Sequence, residues 1–238
     1  MPYYKHTTQY SLKEVEKDLS LLFERIDYVF IFSFLGGEPF LNRGLDTMIE
    51  FLFKNYGMKI GRIEVITNGS LIPEEKVLIV LKNCNVTVRI SDYTKQIPYA
   101  DRMNELCSVL KEHNIRYSVE TSLQWTDFCF PGDEVSVKIP NVRNHMLCCA
   151  PEFHGLNDGK FYYCHVAWSA EKAGLFELAD GDYLNLDLLN SNSKTDCRKI
   201  VDHANGNIDG GYISLCEKCM GCGPDNKKYI SVGEQIGN

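Results

Sequence analysis

The stretch YVFIFSFLGGEPFL, residues 28–41, decides the fold. Residues 28–35 are apolar at almost every position and rich in β-branched and aromatic side chains, the composition of a strand covered on both faces, as parallel strands are. Gly36, Gly37, Glu38 and Pro39 then end the strand in a turn. Two glycines let backbone approach a ligand closely, Glu38 offers an acceptor to a cationic group, and Pro39 stiffens the loop. Ligands of parallel α/β folds gather at the carboxyl ends of strands, and this turn stands at such an end. The plainer reading of the same residues is a turn that leads a strand into a helix.

On either side of this stretch, helical and strand patterns alternate. Ser11-Leu12-Lys13-Glu14 is a capping box, and Leu12, Val15, Leu19, Leu22, Phe23 and Ile26 follow at helical spacing, which predicts an amphipathic helix over 11–26. Leu45, Met48, Ile49, Leu52, Phe53 and Tyr56 predict a second helix over 43–56, with Gly57 as a left-handed cap, before the strand IEVIT at 63–67. Pro73 suits a first helical position, and Val77, Leu78, Val80 and Leu81 carry a third helix into VTVRIS at 86–91. Met103, Leu106, Cys107 and Leu110 mark a fourth, with Asn114 as its cap before IRYSVET at 115–121. Four αβ units in series imply a parallel sheet with right-handed crossovers, either open or part of a barrel. Two further strand ends carry Thr67-Asn68-Gly69 and Ser91-Asp92-Tyr93. Their hydroxyls and amides suit a ribose or a carboxylate, and each set alone is also ordinary turn chemistry.

Beyond residue 121 the alternation ends. SVKI at 136–139 is a candidate short strand, and FHGLNDGKFYYC at 153–164 predicts a β-hairpin around Asn157-Asp158-Gly159. A domain boundary is expected near residue 140, dividing 1–140 from 141–238. Of ten cysteines, Cys148, Cys149, Cys164, Cys197, Cys216, Cys219 and Cys222 fall in the last two-fifths of the chain. In a reducing compartment such crowding favours metal ligation over disulfides. Cys216-x-x-Cys219-x-x-Cys222 has the spacing at which thiolates of one tight turn reach one metal, and Gly221 and Gly223 permit that turn. Cys148, Cys149 and Cys164 supply the other half of a four-thiolate site, for which zinc and an iron–sulfur cluster both remain open. Cys84 and Cys107 read as core residues and Cys129 and Cys197 as bystanders. His145, His154 and His165 flank the ligand candidates, and Trp125 and Asp127 either line a pocket or pack.

The net charge of −7 and the lack of a long Lys/Arg cluster exclude a nucleic-acid backbone binder. No apolar run has the length of a membrane span, and the polar start MPYYKHTTQY lacks the basic and apolar regions of a signal peptide, so the cytoplasm is the expected location.

Taken together, GGEP after an apolar strand, TNG after the next, S-D-Y after the third and the cysteine-rich tail resemble the radical S-adenosylmethionine (radical SAM) enzymes over nearly the whole chain. The resemblance implies a partial (βα)6 barrel that holds S-adenosylmethionine against a 4Fe-4S cluster. It implies that Glu38 and the Gly36-Gly37 backbone bind the methionine amino group and that Ser91 contacts the ribose or carboxylate, with Thr67 and Asn68 added by their place on the rim. The family's C-x-x-x-C-x-x-C loop, whose thiolates hold that cluster, occurs nowhere here, and the first cysteine is Cys84. In the family the loop stands one helix upstream of GGEP, and MPYYKH reads like the stretch that follows it. The expectation is therefore an α/β chain with a partial TIM-like barrel lacking its first strand and cluster loop, inactive in cofactor cleavage as it stands.

The tail resembles the twitch or SPASM-like extensions of the family, which implies an auxiliary 4Fe-4S cluster. On that likeness Cys164 and Cys219 are expected ligands, completed by one of Cys148/Cys149 and one of Cys216/Cys222. A full-length form would cleave S-adenosylmethionine reductively and abstract a hydrogen atom from a small-molecule, sugar or peptide substrate, supplied by an electron donor such as flavodoxin or ferredoxin. The alternative is a noncatalytic iron–sulfur or zinc protein on the same scaffold.

Overall fold

The structure, a computed structural model, describes residues 9–121, 124–130, 141–149 and 153–232. The strand expected at 136–139 lies outside them. The chain divides into two compact units, the first containing Gln9–Glu16 and Asp27–Trp125, the second Lys17–Ile26 and Thr126–Ile230. The division thus falls near Thr126, and a segment from the start of the chain belongs with the cysteine-rich half.

Helix α1 (Leu12–Phe23) begins at the expected capping box: Ser11 N–H and Oγ donate to Glu14 Oε2 at 2.7 and 2.6 Å, satisfying donors that a helix start leaves open. The first unit then alternates β1 (Val29–Phe34), α2 (Leu45–Tyr56), β2 (Ile60–Thr67), α3 (Glu75–Asn83), β3 (Thr87–Asp92), α4 (Ala100–Glu112) and β4 (Arg116–Thr121), followed by a short β5 (Gln124–Thr126). The first four strands form one parallel sheet in the order β1-β2-β3-β4, so the α/β expectation holds. Register pairs Phe34 with Val65, Val65 with Val88, and Ile90 with Val119, which gathers apolar side chains on one face. The helices contribute Leu52, Leu81, Leu106 and Leu110 to the core, all fully buried. The other parity is the more polar one: Ser33, Arg62, Glu64, Arg89, Ser91 and Glu120 share it with Val29, Ile31, Ile60 and Ile66, and Arg62 Nε lies 2.7 Å and Arg89 Nε 3.7 Å from the carboxylates of Glu64 and Glu120.

Three local expectations need correction. No residue of β1 is buried, and Phe30 is 83% and Ile31 45% exposed, so the strand is not covered on both faces among the described residues. An apolar run looks the same in sequence whether or not anything lies over it. Gly57 has φ −54° and leads into a 3-10 turn (Gly57–Lys59) closed by Ile60 N–H to Gly57 O, so it is not a left-handed cap. Pro73 precedes the first helical residue, because Glu74 caps α3. Asn114 does take the left-handed conformation after α4, at φ 53°.

The second unit contains α5 (Val142–Cys149), β6 (Gly155–Asn157), β7 (Lys160–Tyr162), α6 (His165–Lys172), β8 (Tyr183–Asn185), α7 (Lys194–Ala204) and β9 (Tyr229–Ser231). The expected hairpin is present, with Asp158 and Gly159 at φ 58° and 71°, the left-handed pair that a two-residue turn needs, and β8 adds a third antiparallel strand. The second half of α1 holds this hairpin: buried Asp18 accepts Gly159 N–H at 2.6 Å, and Lys17 pairs with Asp187 at 2.8 Å. Met146, Tyr163, Ala167, Ala170, Ile213 and Leu215 form the core beside the cysteines. Among the described residues no helix is long and apolar enough to cross a membrane.

Candidate functional sites: a polar sheet rim and a thiol pocket

The first unit places a polar rim at the carboxyl ends of β1 to β3. Glu38 follows β1 with extended backbone and caps the 3-10 turn Pro39–Leu41, its carboxylate accepting Phe40 N–H at 3.1 Å. The same carboxylate accepts Thr67 Oγ1–H at 2.9 Å to either oxygen and Asn68 N–H at 2.9 Å, so it ties the end of β1 to the end of β2. Burial pushes the Glu38 carboxyl above its ordinary value, against the opposing effect of those donors. Three donors of the rim itself thus share its two oxygens, which leaves room for about one more. What stands open is the Gly36-Gly37 backbone: both residues are exposed, and a Cβ on either would meet nothing within 4 Å.

Thr67 is buried, and its hydroxyl also accepts Gly69 N–H at 3.1 Å. Gly69 must be glycine, because φ is +75° and a Cβ would come within 2.8 Å of Ile90 Cγ2. Ser91 is half-buried on the polar face, and next to it Asp92 accepts Thr94 N–H at 2.8 Å and Thr121 Oγ1–H at 3.0 Å. Burial works to raise the Asp92 carboxyl, but these donors outweigh it and hold it below the usual range. Sequence reasoning missed Tyr99. Its hydroxyl donates to Asn68 O at 2.8 Å and accepts Tyr93 N–H at 3.0 Å, joining the ends of β2 and β3. Nothing in its spacing distinguishes it from any tyrosine before a helix.

The second unit gathers thiols. Cys149, Cys164, Cys216 and Cys219 line one cavity of about 30 Å3 together with His145, Met146, Tyr163, Ile213 and Leu215. They come from four places: the end of α5, the residue before α6, a 3-10 turn (Ser214–Glu217), and the loop after it. Cys148, next to Cys149 on α5, is exposed and does not line the cavity. Cys222 is also exposed and lies against Cys149, sulfur to sulfur 3.3 Å. Among the described residues no three His, Cys, Asp or Glu side chains surround one point closely enough to hold a single ion as they stand.

The pocket's backbone suits thiolates although its interior does not. Burial pushes Cys164 up to about 11 and Cys219 to about 12, and Cys216 upward as well, since an apolar wall disfavours charge. Opposing this, Val166 and Ala167 amides at the start of α6 favour the Cys164 thiolate, and Gly221 N–H donates to Cys219 Sγ at 3.3 Å. A bound cation reverses the balance, because it supplies the charge that the wall does not. Other polar groups hold the thiol-bearing turns. His145 Nε2 is 2.8 Å from Cys219 O, and buried Asp182 accepts Ser214 N–H at 2.7 Å and the Ser214 hydroxyl, fixing the turn that carries Cys216. Gly221, at φ +61°, lets the last turn approach Cys149, whose sulfur lies 3.0 Å from where a Cβ would stand. His154 and His165 bond to backbone carbonyls, of Tyr163 and Phe153, and do not line the cavity.

No family model and no curated protein matches this chain. One solved structure, native anSMEcpe with bound AdoMet and Cp18Cys peptide, is similar to it with a TM-score of 0.43 and 19% identity, over 51% of this chain and 38% of that one. The matched part thus spans less than half of that structure's chain.

Proposed function

We propose that this chain is a radical SAM-type α/β scaffold that binds S-adenosylmethionine at its sheet rim and holds an auxiliary 4Fe-4S cluster in its thiol pocket. One observation carries the proposal: Cys149, Cys164 and the Cys216/Cys219 pair, from three separate stretches of the sequence, converge on a single apolar cavity. Soft sulfur donors select zinc or iron–sulfur centres over oxygen-loving ions. When bound, such a cluster supplies one-electron transfer or an iron site that anchors a substrate.

The chain's own residues prepare that site. Amides at Cys164 and Cys219 favour the thiolates, Asp182 and His145 hold two ligand-bearing turns, and Met146, Ile213 and Leu215 keep water out. At the rim, Glu38 and the open Gly36-Gly37 backbone are the acceptors for the methionine ammonium and Ser91 the group for ribose or carboxylate, with Thr67 and Asn68 holding the Glu38 carboxylate in place. Reductive cleavage of the cofactor requires three further thiolates at the family spacing, which this sequence does not contain. The substrate is a small molecule, sugar or peptide, and the electron donor a flavodoxin or ferredoxin.

Anaerobic reconstitution with ferrous iron and sulfide is the test. Iron and sulfide in equal amounts, with the broad visible absorbance of a cluster, are expected. Stoichiometric zinc without that absorbance instead favours a structural zinc site, a second reading supported by the cavity's size, which admits little more than one water-sized body. Neither metal retained refutes both.

A further inference from the structure

We infer that Cys149 and Cys222 form a reversible disulfide that withdraws Cys149 from the pocket, a redox-sensitive site whose effect on metal rests on the reading above but whose thiol chemistry does not. The two sulfurs lie 3.3 Å apart, and among the described residues no other two cysteine sulfurs are in such contact. Two backbone bonds hold them face to face: Cys222 N–H donates to Cys149 Sγ at 3.3 Å, and Cys222 Sγ–H to Cys149 O at 3.3 Å. Glycines make the approach possible. A Cβ at Gly221 would lie 3.0 Å from Cys149 Sγ, and one at Gly223 3.2 Å from Cys148 O. A disulfide needs the sulfurs at about 2.05 Å, a short movement for an exposed side chain.

The pair differs in access, and a small oxidant in solution meets Cys222 first. Cys222 is exposed and outside the cavity, whereas Cys149 is half-buried and lines it. The oxidant is a low-molecular-weight disulfide. The Cys222 thiolate attacks one of its sulfurs, its S–S bond breaks, and one small thiol leaves. Cys149 then attacks the Cys222 sulfur, the mixed S–S bond breaks, the Cys149–Cys222 bond forms, and the second small thiol leaves. Two protein thiols thereby give up two electrons and two protons, and the oxidant becomes two thiols. Cys164, Cys216 and Cys219 remain in the cavity, one thiolate short of a four-ligand centre.

The test uses the full chain, reduced and metal-free, treated without oxygen with glutathione disulfide, then digested and mapped by mass spectrometry. The expected product is a Cys149–Cys222 crosslink lighter by two hydrogens and reversed by dithiothreitol. Pretreatment should lower iron loading several-fold in the parent and leave Cys222→Ser unaffected. A crosslink from Cys149 to another cysteine, stable glutathionylation of Cys222 without a crosslink, or equal loss of loading in Cys222→Ser would each overturn the inference. So would failure of untreated Cys222→Ser to load iron, since Cys222 would then be a ligand. A chain that forms the crosslink yet takes up neither iron nor zinc upholds the thiol pair and overturns the metal centre, which keeps the two claims separable.

Discussion

Replacing Glu38 removes one carboxylate and strands three donors. Phe40 N–H, Asn68 N–H and the Thr67 hydroxyl all point at it, at 3.1, 2.9 and 2.9 Å, and Thr67 is only 2% exposed. Hydrogen bonds to charged groups contribute roughly 1.5–3 kcal/mol each, but water reaches part of this rim and the terms are not additive. Glu38→Ala should therefore destabilise the chain by about 2–4 kcal/mol, moving a urea midpoint down by roughly 1–2 M at slopes of roughly 2 kcal/mol per M. Glu38→Gln keeps an acceptor and carries no charge, so it should lose less. The comparison between parent and Glu38→Gln also has a pH signature. Burial raises the Glu38 carboxyl, so the stability it contributes is fully present below about pH 4.3 and is lost as pH rises through the raised value. The parent's advantage over Glu38→Gln should shrink across that interval. Circular dichroism at several pH values measures both. A Glu38→Ala midpoint equal to the parent's would mean that the carboxylate does not tie β1 to β2.

His203 is buried against Phe161, its Nε2 has no hydrogen-bond partner among the described residues, and burial lowers its pKa to about 4. Its stabilisation is complete above the unfolded value of about 6.5 and falls as pH drops toward the folded one; about 3 kcal/mol should be lost, and His203→Leu should flatten that limb in acid denaturation. Gly69→Ala forces a side chain into a left-handed position 2.8 Å from Ile90 and should cost about 1–3 kcal/mol in thermal or urea unfolding. Tyr99→Phe removes the link between Asn68 O and Tyr93 N–H, and should speed hydrogen exchange at the Tyr93 amide at an expense of about 1–2 kcal/mol.

Features encoded within a few residues were legible in the sequence, and those that depend on distant partners were not. The Ser11–Glu14 capping box and the Asp158-Gly159 turn are local chemistry, and both stand as expected. The helix and strand periods likewise predicted a parallel sheet, because burial on one helical face repeats at a fixed spacing. Which of Cys148 and Cys149 meets the cavity is different: adjacent helical residues point about 100° apart, and only tertiary packing selects one. Glu38 shows the same limit. Its position at a strand end was legible, but not that Thr67 and Asn68, some thirty residues away, occupy its carboxylate. Asp182 and Tyr99 gave no signal, since the partners that make them matter, Ser214 and Asn68, lie 32 and 31 residues off.

The convergence of Cys149, Cys164, Cys216 and Cys219 on one metal centre is tested most directly by thiol footprinting. Chain loaded with iron and sulfide, and the same chain without metal, are alkylated for equal times, and each cysteine's modification is followed by mass spectrometry. These four should become protected together on loading, while exposed Cys148 reacts alike in both samples. Unchanged reactivity at Cys164, Cys216 and Cys219 in a chain that retains iron would contradict the account.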